Sequence, residues 1–125
     1  MSDTLEPARL VLIDDDPHVL NALKFAFEAD GYDVSTFNSG EAVLAHLPHE
    51  TANTCFVIDQ RLPGLSGLDT LARLRDLGVT APAILVTTHP SPETCRRARL
   101  AVVDIVEKPL LGNALTQKVT EVLAR

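Results

Sequence analysis

The sequence predicts one α/β domain built on a parallel sheet, and three observations lead there. Apolar runs of strand length recur along the 125 residues, segments of helical spacing separate them almost without exception, and the central runs are apolar on both faces. Strands covered by helices on two sides have that pattern, because neither face meets water. A chain of this length buries roughly two-thirds of its unfolded surface with no disulfide or structural metal.

Residues 1–8 are a polar N-terminal tail and residues 9–125 the domain. Arg9 to Ile13 (RLVLI) is the first strand, apolar on both faces and bounded by an Asp cluster. Pro17 is preorganised for a first helical turn, with Asp16 placed to cap the helix, Gly31 to end it, and Val19, Leu20, Leu23 and Phe27 facing inward. Tyr32 to Phe37 (YDVSTF) alternates apolar and polar residues, as a half-exposed edge strand does. Asn38-Ser-Gly-Glu41 reads as a capping box opening a short helix that carries Ala42, Val43 and Leu47, and Pro48 to Asn53 is a loop. Cys55 to Ile58 is the third strand, ending in Asp59 and followed by the turn-rich loop RLPGLSG. Ser66 and Asp69 open the next helix, whose stripe is Leu68, Leu71, Ala72 and Leu74 and whose stop is Gly78. Ala83 to Val86 is a buried strand leading into Thr87-Thr88-His89. Pro90 and Pro92 then interrupt the chain before a helix containing Cys95 to Leu100. Val102 to Val106 is the fifth strand, with Lys108-Pro109 beyond it, and Leu115, Val119, Val122 and Leu123 face inward on a last helix.

Composition removes several classes of function. A net charge of −6 with a pI near 5.0 opposes a nucleic-acid surface, which needs Lys and Arg against phosphates. No apolar run approaches the roughly 18 residues that span a bilayer, so no membrane partner is expected. The two cysteines, Cys55 and Cys95, show no CxxC spacing, which suits a reducing cytoplasm.

Chemistry gathers outside the carboxyl ends of strands in an open parallel sheet. Those ends read Asp14-Asp15, Asp59, Thr87 and Lys108. Three carboxylates converging in one cleft repel one another unless a cation joins them. All-oxygen ligands suit magnesium, and the lack of Cys and His at these ends disfavours zinc. One carboxylate of such a set can attack a phosphoryl group while magnesium and Lys108 neutralise its oxygens, and Thr87 can donate a hydrogen bond to the transferred group. No GxxxxGK[ST] loop or GxGxxG turn supplies a nucleotide cradle, so the phosphoryl donor comes from elsewhere. Asp16 reads as a helix cap, and His18, His46 and His49 as surface or cap residues. Arg96, Arg97 and Arg99 are either a solvated helix face or a partner surface.

VLIDDDPHVL, FVIDQRLPGLSGLDTL, ILVTTH and VDIVEKP together resemble the receiver domains of two-component response regulators, of the nitrogen-fixation-regulator type, over essentially the whole chain. The resemblance implies a flavodoxin-like doubly wound sheet in the order 2-1-3-4-5. It implies Asp59 as phosphoryl acceptor, Asp14 and Asp15 as the acidic pair at Mg2+, the Arg61 backbone carbonyl as a further metal ligand, Thr87 as the switch hydroxyl and Lys108 as the paired lysine. It also implies a sensor histidine kinase or phosphotransfer protein as donor, a downstream protein target reached through the helix 4, strand 5 and helix 5 face, and a possible homodimer. The chemistry would be limited to self-catalysed phosphotransfer and autodephosphorylation. A final helix running to Arg125 predicts a single-domain regulator with no output domain. Ile105 stands where the family usually carries Tyr or Phe, Thr88 where Ala or Gly is common, and Ala101 where Gly is frequent, all around the fourth helix. Arg61 and His89 flank the acceptor and are expected to limit water access and set the lifetime of a phosphoaspartate.

Two other functions compete. A haloacid-dehalogenase-type phosphatase also ends its first strand in Asp-x-Asp, as Asp14 and Asp16 do, but here His18 falls where Thr or Val is expected and no late acidic pair follows Lys108. A receiver-like interaction domain independent of phosphorylation gains from Ile105 and loses from the intact set of acids, Thr and Lys.

Overall fold

The structure is a computed structural model and describes residues 7–46, 52–110 and 112–125. The elements run β1 (Arg9–Ile13), α1 (Pro17–Ala29), β2 (Asp33–Phe37), α2 (Gly40–Ala45), β3 (Thr54–Asp59), α3 (Gly67–Asp76), β4 (Ala83–Thr87), α4 (Pro92–Leu100), β5 (Asp104–Glu107) and α5 (Ala114–Leu123). All pairings are parallel and the sheet order is β2-β1-β3-β4-β5, the flavodoxin-like order expected. The two-residue period of the strands divides the core. Leu10, Leu12, Cys55, Val57, Ile84 and Val86 face α1 and α5, where Leu20, Phe27, Leu115, Val119 and Val122 pack. Val11, Ile13, Phe56, Ile58 and Leu85 point the other way, toward Val43 of α2 and Leu68, Leu71 and Leu74 of α3. β2 lies at the edge, which explains its alternation, and Tyr32 closes onto Phe27 in an edge-to-face contact at 5.6 Å. The expected core residue Leu47, with Pro48 and His49, lies outside the described residues.

Several local expectations need correction. The cap of α2 is Ser39, whose hydroxyl accepts from the Ala42 N–H, and not Asn38; Glu41 is therefore not the box partner of Asn38. Pro92 does not precede α4 but forms its first turn, behind the cap Ser91, since a proline at that place loses no helical hydrogen bond. β5 begins at Asp104, not Val102. Val102 lies in the left-handed region with φ +57, and the Val103 N–H closes α4 by donating to the Ala98 carbonyl at 2.9 Å. The other caps agree with the sequence: Asp16 accepts from the His18 N–H at 2.9 Å and Ser66 from the Asp69 N–H at 3.1 Å. Among the described residues no helix is long and apolar enough to cross a membrane.

Candidate functional site

Strand order and register alone bring the site together. The order reverses between β1 and β3, where two crossovers leave in opposite directions and open a crevice at the carboxyl end. Ile13 pairs with Ile58, so Asp14 and Asp59 stand side by side one residue further on. Asp59 pairs with Val86, and Thr87 with Glu107, which sets Thr87 and Lys108 on the same rim. The Lys108 N–H donates to the Thr87 carbonyl at 2.9 Å, and a cis peptide bond joins Lys108 to Pro109.

One ligand oxygen from each of Asp14, Asp15 and Asp59 fits within 4.8 Å of the others. Asp14 and Asp59 are buried and Asp15 is exposed, so the cluster opens to solvent on the Asp15 side. Lys108 Nζ lies 3.2 Å from Asp14 and 3.5 Å from Asp59 and holds the buried pair together. The second Asp14 oxygen accepts from the Asp16 N–H at 2.9 Å, which ties the cluster to the first turn of α1. Burial and then the Asp14 charge raise the Asp59 pKa, against Lys108 and a hydrogen bond donated by the Arg61 backbone N–H, which lower it. Burial works against the Lys108 ammonium, but the Asp59 and Asp14 carboxylates outweigh it and its pKa rises. The lysine thus stays charged and the acids remain short of positive charge. Three carboxylates with no sulfur or imidazole among them fit a hard divalent ion such as magnesium.

Thr87 is buried at the end of β4, while Arg61 and His89, two residues beyond the ends of β3 and β4, are exposed, His89 with φ +45. Ile105 is half-buried against the α2 and α3 side of the sheet. Burial pushes the Cys55 thiol up to about 12, so Cys55 is a core residue and no nucleophile. What the sequence did not reveal is how the acceptor strand is braced. Gly67 begins α3 so close to β3 that a Cβ would fall 2.6 Å from the Asp59 carbonyl oxygen, and its N–H donates to the Gln60 carbonyl at 3.0 Å. Gln60 Oε1 accepts from the Leu68 N–H at 2.9 Å. The two glycines of PGLSG were visible as turn formers, but the close approach that one of them permits is a tertiary fact.

The sequence model of the response regulator receiver domain matches residues 10–120. The transcriptional regulatory protein FixJ of Rhizobium meliloti (strain 1021) is 31% identical over 109 residues, which is 86% of this chain and 53% of that protein. Nodulation protein W of Bradyrhizobium diazoefficiens is 33% identical over 120 residues, 94% of this chain and 52% of that protein. The chain spans about half the length of these relatives. The crystal structure of a CheY-like response regulator receiver domain protein from Methanospirillum hungatei JF-1 superposes with a TM-score of 0.86 at 28% identity, covering 95% of each chain.

Proposed function

The chain belongs to the response regulator receiver domain family, and from that premise we propose that it accepts a phosphoryl group on Asp59 from a histidine kinase or a phosphotransfer protein. In the transfer an Asp59 oxygen bonds to phosphorus as the P–N bond of a donor phosphohistidine breaks, and the imidazole keeps the electron pair. Asp14, Asp15, Asp59 and the Arg61 carbonyl would hold magnesium, which when bound neutralises the phosphoryl oxygens. Lys108 leaves the Asp59 carboxylate for a phosphoryl oxygen, and the Thr87 hydroxyl donates to another. The observation that supports this best is Lys108 shared between Asp14 and Asp59 at 3.2 and 3.5 Å, a cation already placed among the acids at the strand ends. The changed charge shifts α4, β5 and α5 between two populations, and a downstream protein reads that face. With Ile105 in place of an aromatic ring, the shift reaches the face through Thr87 and the α4 backbone without a ring rotation.

The test is to incubate the chain with magnesium and a small acyl phosphate, then locate hydroxylamine-sensitive phosphoaspartate by mass spectrometry. Label on Asp59, absent from Asp59→Ala, is the expected result. Label on Asp14 would point to phosphatase-like chemistry. No label from an acyl phosphate or a kinase would leave an interaction domain independent of phosphorylation. Timed decay of the same label in Arg61→Ala and His89→Asn examines their control of water access, and unchanged lifetimes would remove it.

A further inference from the structure

The loop after the proposed acceptor is gripped from outside by a helix that contributes nothing to the acid cluster. Glu41, in the first turn of α2, accepts a hydrogen bond from the Leu65 backbone N–H at 3.0 Å, across 24 positions of sequence. Gly64, one residue earlier, has φ +77, and a Cβ there would collide with the Glu41 carboxylate, so the loop backbone passes directly beneath that side chain. The helices meet equally closely. A Cβ on Gly40 would overlap the Thr70 hydroxyl, which itself donates to the Ser66 carbonyl at 2.8 Å. At the inner end the loop is closed by Gly67 and Leu68 on Gln60. Residues 61–64 therefore hang between two anchors, and the Arg61 N–H at their start reaches the Asp59 carboxylate.

We infer that Glu41 is a positioning residue for the Asp59 site, fixing the loop after β3 so that the Arg61 backbone faces the acid cluster. This rests on reading that cluster as a magnesium site. A backbone N–H bonded to an ionised carboxylate is among the stronger protein hydrogen bonds, and loss of a group that orients metal ligands typically costs about 10–100-fold in metal affinity. The plain alternative is that Glu41 only offsets the positive end of the α2 dipole. Substitutions separate the two. Glu41→Gln keeps an accepting oxygen at the same reach and loses the charge, whereas Glu41→Asp keeps the charge and draws it back by one methylene.

The experiment titrates the isotope-labelled chain with magnesium chloride and follows the Asp59 and Arg61 backbone amides by NMR. Glu41→Ala and Glu41→Asp are expected to weaken magnesium binding roughly tenfold, the lower end for loss of a ligand-orienting group. Glu41→Gln should stay within about threefold of wild type, since a neutral acceptor at the same reach keeps roughly half of a charge-assisted bond. Wild-type affinity in Glu41→Ala overturns the inference, as does an equal loss in Glu41→Gln and Glu41→Ala. A wild type with no saturable response to magnesium overturns the magnesium site itself.

Discussion

Asp59 is held under opposing influences, and their balance decides how the ion-free protein behaves. Burial and Asp14 raise its pKa, Lys108 and the Arg61 N–H lower it, and the net direction is upward. A carboxyl whose folded pKa lies above the unfolded one favours the folded state at low pH. That contribution is complete below the ordinary value of 3.8 and is lost as pH rises through the folded pKa. At neutral pH the ionised Asp59 is thus a cost. Replacing it by Asn removes one of two facing charges and leaves Lys108 its shorter contact, 3.2 Å to Asp14. In chelator at pH 7, Asp59→Asn is expected to gain on the order of 1 kcal/mol, a usual size for a single substitution. For a chain of this length that is about 3–5 °C in Tm. Melts repeated at falling pH should show the gain shrinking toward zero in the acid range. A lower Tm than wild type at pH 7 would mean that the ion pair with Lys108 outweighs burial.

The end of α4 shows an element finishing without the residue that usually finishes it. Val102 takes φ +57 and is 84% exposed, while the Val102 and Val103 N–H groups close onto the Arg99 and Ala98 carbonyls. Glycine commonly fills this place because a side chain in the left-handed region costs roughly 1–2 kcal/mol, and a β-branched one is a true outlier. Val102→Gly is therefore expected to stabilise the chain by about 1 kcal/mol, even after the added flexibility of the unfolded state. Urea unfolding reads this as a higher midpoint at unchanged slope, and a lower midpoint would show that the exposed valine packs better than its accessibility suggests. The same residue explains a missed boundary. Val102, Val103, Ile105 and Val106 are β-branched with no glycine among them, so the sequence places the start of the fifth strand two residues before Asp104, where it begins. β1 had no such ambiguity, because its apolar run is flanked by Arg9, the first residue of the strand, and by Asp14 directly after it. At α2, Asn38 and Ser39 are both capable caps one residue apart, and local spacing could not choose between them. The choice agrees with a contact far along the chain, where Glu41 meets Leu65.

Across the whole molecule the candidate site was more legible than its supports. A parallel sheet sends every strand end to one side, so reading the residues at the ends of four apolar runs is enough to collect Asp14, Asp15, Asp59, Thr87 and Lys108. The braces at Gly67, Gln60 and Glu41 depend on how α2 and α3 meet the end of β3, and no period in the sequence encodes that meeting. The same architecture crowds negative charge at one end of a chain that already carries a net −6. A divalent ion bound at that end favours the folded state, because unfolding disperses its ligands. Magnesium at ten times its dissociation constant should add about 1.4 kcal/mol and raise Tm by several degrees. Asp14→Asn and Asp59→Asn should lose most of that increment. The increment should also fall as pH drops through the raised Asp59 pKa, since only the ionised carboxylate binds the ion. Sodium chloride at matched ionic strength screens the whole surface and stands as the control. A magnesium shift no larger than the sodium shift, and unchanged in both variants, would mean that the acids are merely screened rather than bridged.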